Sequence, residues 1–275
     1  MTYQTYEIST DNGQPAQLFE FTYSGQGWYY TTADAFITNN GKTYSPAAIQ
    51  CAAIPGVTDP NNSNVTITMP RDSAIAELFR VVPPSEQVFV TIYGEHIDDV
   101  NSQFAVIWKG RITNCEWQGP IISLNSDSVF TSLLRSGLGP RFSRQCTATI
   151  YDSKCSLSRE SWKIAGPASA VTGTTITVPA AVGKPDNYFA GGYISWVNNA
   201  TGNTEVRFIR SSYNASGSLT LSSQPMGLTL GGVVSVYPGC DHQLLTCDTK
   251  FHNAANYRGM PYIPPKSPFG GTALY

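Results

Sequence analysis

Four of the six cysteines in this 275-residue chain fall into two local pairs, Cys146-x8-Cys155 and Cys240-x6-Cys247, with 84 residues between the pairs. Any chemistry that joins all four thiols must close that long loop, so the pattern constrains the C-terminal half before a strand or helix is read. Three chemistries qualify. Two disulfides need an oxidising compartment. Structural zinc takes four thiolates, or three with an imidazole from His242 or His252, but usually sits in tighter Cys-x2-Cys knuckles. An iron-sulfur cluster is larger than a single ion and tolerates wider, less regular spacing. Spacing alone leaves the three open.

Compartment bears on the choice. The N-terminus, Met1-Thr-Tyr-Gln-Thr-Tyr-Glu-Ile8, has neither a basic segment nor an apolar one, and no run approaches ~18 apolar residues, so neither export by that route nor a membrane span is expected. The sequons at Asn61, Asn64, Asn199 and Asn214 then read as loop composition. With 13% charged residues and a net charge of -2, the chain has no field to draw it to nucleic acid or an anionic membrane. Low charge with 12% aromatic residues fits a protein covered by neighbours, and equally a secreted β-protein.

The residues around the cysteines favour a cluster. Asp241 is placed to N-cap a helix through Leu244, Leu245, Cys247 and Phe251, setting Cys240 near its positive end. Arg141, Arg144, Lys154 and Arg159 flank the first pair, where they would offset the negative charge of a four-thiolate cluster or simply form a solvated surface. Tyr151, Leu157, Trp162 and Phe251 are available to keep water out. Closing an 84-residue loop costs on the order of a few kcal/mol, which metal-thiolate bonds can exceed.

Elsewhere the chain reads as β-structure. Alternating runs over residues 17–23, 27–31, 65–69, 88–93 and 104–108 are punctuated by Asp11-Asn-Gly13, Asn39-Asn-Gly41 and Asp59-Pro-Asn-Asn62. Helices are expected at 72–81, capped by Asp72, and at 126–138, ended by Gly137 and Gly139. Gly139-Pro140 marks the domain boundary. Strand signals resume between Thr172 and Val236, so the cysteines flank a β-module. Cys51 and Cys115 have no local partners and read as free buried thiols. The chain has no His-Glu-x-x-His, Gly-x-Ser-x-Gly or phosphate loop, and Glu95-His96-Ile-Asp98-Asp99 reads as a solvated turn rather than an acid-base or metal site. No enzyme is expected.

The stretches Arg144-Gln-Cys146-Thr-Ala-Thr-Ile-Tyr151-Asp-Ser-Lys-Cys155 and Pro238-Gly-Cys240 through Cys247 and Phe251-His-Asn253 to Tyr257-Arg258-Gly259 resemble the C-terminal part of tail-tip hub proteins. These occur in long-tailed phages, including the lambda-like tail-tip protein L, and in related gene transfer agents. Residues 27–33, 41–46 and 65–70 are similar to the opening strands of the same proteins. The resemblance implies a virion tail-tip protein, made late and assembled in the bacterial host cytoplasm. It further implies a homotrimer between a distal tail protein ring and a central tip or fibre protein, its two hub domains repeating as a pseudo-sixfold ring. It also implies a structural [4Fe-4S] cluster on Cys146, Cys155, Cys240 and Cys247, with zinc as the runner-up.

The expected fold class is therefore mainly β (α+β), with two hub-type β domains, the second carrying a β-insertion closed by an iron-sulfur neck. The domains are 1–139 and 140–275, with the insertion at about 164–237 and an extended arm at 257–275, free in a ring to cross onto a neighbouring subunit. An iron-sulfur redox protein and a secreted, disulfide-bonded carbohydrate-binding module are the alternatives.

Overall fold

The computed structural model describes residues 3–10, 13–54, 64–97, 99, 101, 103–134, 142–213 and 215–264. The expected turn at Asp59-Pro-Asn-Asn62, the sequons at Asn61 and Asn214, the Gly139-Pro140 boundary, Arg141 and the arm beyond Pro264 lie outside them. The chain forms two compact units, Met1–Ser136 and Gly137–Tyr275.

In the first unit a short helix, α1 (Tyr3–Ile8), precedes β1 (Pro15–Tyr23), β2 (Gln26–Thr31), β3 (Ile37–Asn39), β4 (Lys42–Pro46), β5 (Gln50–Cys51) and β6 (Val65–Pro70). Helix α2 (Ala74–Glu77) leads to β7 (Phe89–His96), β8 (Phe104–Gln118) and β9 (Ile121–Ser128). They make a nine-stranded sheet in the order β3-β4-β2-β1-β7-β8-β9-β6-β5, antiparallel except where β2 meets β4. Hairpins β1–β2 and β3–β4 turn through Ser24-Gly25 and Asn40-Gly41, all four with positive φ, the two-residue geometry whose twist matches that of the flanking strands. Alternation places Phe19, Phe21 and Tyr23 of β1, Val65, Ile67 and Met69 of β6, and Ile122 and Leu124 of β9 in one core.

Three local expectations fail here. The helix expected over 72–81 lasts one turn with Ser73 as its N-cap, because the bonds that follow tighten to three-residue spacing, Phe79 N–H to Ala76 O and Arg80 N–H to Glu77 O. Residues 126–128 belong to β9, and Val129–Leu134 form a 3-10 helix. There the hydroxyls of Thr131 and Ser132 bond the Ser128 and Val129 carbonyls, and Ser128 Oγ accepts the Phe130 N–H. The supposed solvated turn at 95–99 is buried at Glu95, His96 and Asp99, while Asp98 lies outside the described residues. Strand β7 runs on through His96, whose ring lies between Tyr3 and Tyr6 of α1.

The second unit holds α3 (Arg159–Trp162) and strands β10 (Ile164–Pro167), β11 (Ala170–Thr172), β12 (Thr175–Thr177), β13 (Tyr193–Val197), β14 (Thr204–Tyr213), β15 (Ser218–Leu221) and β16 (Val233–Tyr237). Helix α4 (Leu244–Thr249) follows. The antiparallel sheet runs β10-β16-β13-β14-β15-β12-β11 around a core that includes Ile176, Phe189, Ile194, Trp196, Ile209, Leu219 and Val236. No helix among the described residues is long and apolar enough to cross a membrane.

Candidate metal centre

The first cysteine pair lies in a loop organised by Asp152. Its carboxylate accepts the Thr149 N–H at 3.1 Å and the Cys155 N–H at 2.6 Å, and its carbonyl accepts the Ser156 N–H. Tyr151 and Ser156 take positive φ, a conformation that non-glycine residues hold only when their surroundings fix it.

The second pair begins where β16 ends. Gly239 passes so close to the opposing chain that a Cβ there would overlap the Ala190 carbonyl and the Gly192 nitrogen, which is how Cys240 reaches the site. His242, also at positive φ, turns its N–H to Cys240 Sγ at 3.3 Å. The expected Asp241 cap is displaced: α4 starts at Leu244 with Gln243 as N-cap, and Asp241 instead accepts the Gln243 N–H at 3.0 Å and the Thr246 hydroxyl at 2.8 Å. Phe251 lies beyond the end of this helix.

Backbone and side-chain bonds then lace the two stretches together. Cys146 N–H donates to His242 O at 2.9 Å, while His242 Nδ1 meets Cys146 O at 3.0 Å. Tyr257 Oη donates to Arg144 O and His242 O, and Arg258 N–H points to Cys146 Sγ at 3.4 Å. Asn253 Nδ2 donates to Cys155 O at 2.7 Å. The first part of the expected arm folds back on its own chain, with Met260 N–H on Ser143 O and Arg144 Nε on Ile263 O.

Cys146, Cys155, Cys240 and Cys247 thus line one small, largely enclosed cavity of about 20 Å3, together with Ala148, Leu157, His242, Phe251, Asn253 and Tyr257. None of the six cysteines is disulfide-bonded. Burial pushes the Cys240 and Cys247 thiols above their ordinary range, Cys247 to about 11, and negative charge on the other cysteines adds to the effect. Four thiolates gathered here require a compensating cation. The expected neck is nevertheless not supported as a ready ion site: among the described residues no group of three or more His, Cys, Asp or Glu is set to hold a metal ion.

The donor set, four thiols, is the one a cluster takes. His242 lines the cavity with its Nδ1 on Cys146 O, and His252 is exposed and does not line it. Peptide N–H groups reach two of the sulfurs, as suits anionic cluster ligands. Of the two readings of the flanking cations, the solvated surface fits: Arg144 holds Ile263 O, Arg159 pairs with Glu160 at the surface, and Lys154 is exposed. A half-buried cation that interacts with Cys240 is Lys250, which sequence reasoning passed over. It donates to Tyr188 O and Gly239 O, and burial lowers its pKa to about 8. Of the four apolar residues expected around the site, Leu157 and Phe251 line the cavity, while Trp162 stands edge-on to Phe251 and Tyr151 packs against Tyr193 and Tyr237. Asn253, Asn256 and Tyr257 stood in the motif without assigned roles, and only their folded contacts single them out.

Cys51 and Cys115 are half-buried against the first core, and burial raises both thiols, Cys51 to about 11. Cys51 pairs with Ile67, Ile67 with Leu124, and Leu124 with Cys115, so two strands separate them and they form no site.

Comparisons with known proteins bear on both units. Residues 11–158 match the family described as "Baseplate hub protein, N-terminal attachment domain", and residues 187–267 match "Phage conserved hypothetical protein BR0599". A protein of Xylella fastidiosa (strain 9a5c), described as uncharacterized, is 24% identical over 180 residues, 60% of this chain. The match spans only 37% of that relative's length. Among solved structures, a chain of the virion of a native gene transfer agent particle superposes with a TM-score of 0.80 at 20% identity, over 98% of this chain and 95% of that one. At that identity the likeness establishes the fold.

Proposed function

The chain belongs to the baseplate hub protein family, whose N-terminal attachment domain it carries over residues 11–158, and from that premise we propose that it joins the distal tail ring of a phage-like particle to the central tip or fibre protein. In this reading it acts as a homotrimer, performs no catalysis, and uses Cys146, Cys155, Cys240 and Cys247 to hold a [4Fe-4S] cluster.

The observation that carries the cluster is the single cavity lined by all four thiols, which come from stretches 84 residues apart. Four thiolates are the ligand set of a [4Fe-4S] cluster, and their wide, irregular spacing along the chain suits it better than the tight knuckles usual for zinc. When bound, the cluster would supply four iron-thiolate bonds. The chain's own residues close the loop, orient the thiols through Asp152, His242 and Asn253, and exclude water with Tyr151, Trp162 and Phe251. A cross-link at the two ends of the β-module stiffens it without a larger core.

The hub placement is tested by tagging the chain in assembled particles and imaging them with a gold-labelled ligand. Label confined to the distal end of the tail, with a trimeric mass for the purified chain, is expected. Label along the tube, or in the capsid, would overturn the placement.

A further inference from the structure

Asn253 connects the two cysteine pairs at one point. It is 8% exposed and lies just past α4. Its Nδ2 donates to Cys155 O at 2.7 Å and stands 3.8 Å from Cys155 Sγ. Its backbone N–H donates to Cys247 O at 3.0 Å, a bond that does not depend on the thiol's proton, whereas the Cys247 thiol's own 3.3 Å contact to the Asn253 carbonyl is given up when the sulfur ligates iron. Asn256 Nδ2 donates to Asn253 Oδ1 at 2.7 Å, so the amide's oxygen is occupied and its NH2 end faces Cys155. One residue from each pair is therefore held by the same asparagine, 98 positions from Cys155 and 6 from Cys247.

We propose that Asn253 is a positioning residue that sets how firmly the centre retains iron and, through Cys155, its reduction potential; this rests on the iron-sulfur reading above. The physical reason is specific to the amide. Cys155 sits in a loop whose neighbour Ser156 is at positive φ, so its direction depends on fixed partners rather than on a helix or strand. The Asn253 NH2 supplies such a partner at the Cys155 carbonyl, and lies at the outer limit of hydrogen bonding to the sulfur. Donors near a cluster's sulfurs raise its potential, and partners that orient metal ligands govern affinity. Asn253→Asp keeps the shape, removes both N–H donors and turns a carboxylate toward the Cys155 carbonyl. Asn253→Ser keeps a donor on a shorter arm.

The test uses the full chain purified without oxygen. Iron loss to a chelator is followed by visible absorbance, and the reduction potential is titrated, for the natural chain and both variants, with circular dichroism to follow folding. Asn253→Asp is expected to lose iron roughly 10- to 100-fold faster and to titrate at a more negative potential, with Asn253→Ser between it and the natural chain. If both variants keep the natural rate and potential while the natural chain holds iron, the proposal is overturned and the cluster stands. Faster loss at an unchanged potential also overturns it, since Asn253 would then only brace the fold. A natural chain without iron sinks the iron-sulfur reading first, before any variant is compared. If Asn253→Asp does not fold, Asn253→Ser decides the matter by the same two readouts.

Discussion

At Gly239 the main chain comes so close to Ala190 and Gly192 that a methyl group has nowhere to go, and neither neighbour is a flexible side-chain end. Gly239→Ala is accordingly expected to destabilise the second unit by about 1–3 kcal/mol in chemical denaturation and to displace Cys240; wild-type stability would refute this crowding. In the first unit, Asp99 accepts N–H bonds from Asn101 and Gln103, each at 3.0 Å, and these hold its carboxyl below the ordinary range despite burial. A depressed folded pKa means stability that is present above about pH 4 and lost as pH falls through the lower value. Asp99→Asn should flatten that acid limb in melts taken between roughly pH 5 and pH 2, whereas an unchanged limb would assign it to other carboxylates. The four ligand candidates were legible as residues because thiols are rare and chemically restricted. Asn253 and Lys250 were not, because an asparagine or lysine near a helix end has many ordinary uses and only the folded contacts single it out.

At the scale of elements, what could be read depended on whether the local pattern and the tertiary contacts agreed. Val65-Thr-Ile-Thr-Met alternates cleanly and is β6, with every second side chain buried. Strand β8 runs to Gln118, well past the expected stop at Trp108, because Lys109, Arg111, Asn114 and Glu116 hide a strand whose pairing with β9 supplies the order. The helices expected over 72–81 and 126–138 shrank where three-residue bonds and hydroxyls competed with the α-helical ladder. Helix α1 has the opposite character, since six residues have little stability alone and tertiary contacts must hold them. The ring of His96 touches Tyr3 and Tyr6, and Glu7 stands 3.3 Å from its Nε2. His96→Ala should speed amide exchange in Tyr3–Ile8 by roughly tenfold or more, leaving β6 unchanged. Equal exchange in both proteins would show that α1 is held by other contacts.

For the molecule as a whole, the mainly β architecture and the gathering of two distant cysteine pairs in the second unit both follow from a sequence whose most restrictive residues lie at the ends of a β-module. The proposed four-iron cluster on those four thiols is tested most directly by iron, zinc and acid-labile sulfide content with the visible spectrum, on protein purified without oxygen. About four irons and four sulfides per chain in a brown protein, lost when Cys146 or Cys240 is replaced by serine, is the predicted result. One zinc per chain without colour, or no metal with two disulfides in place of four thiols, would contradict it.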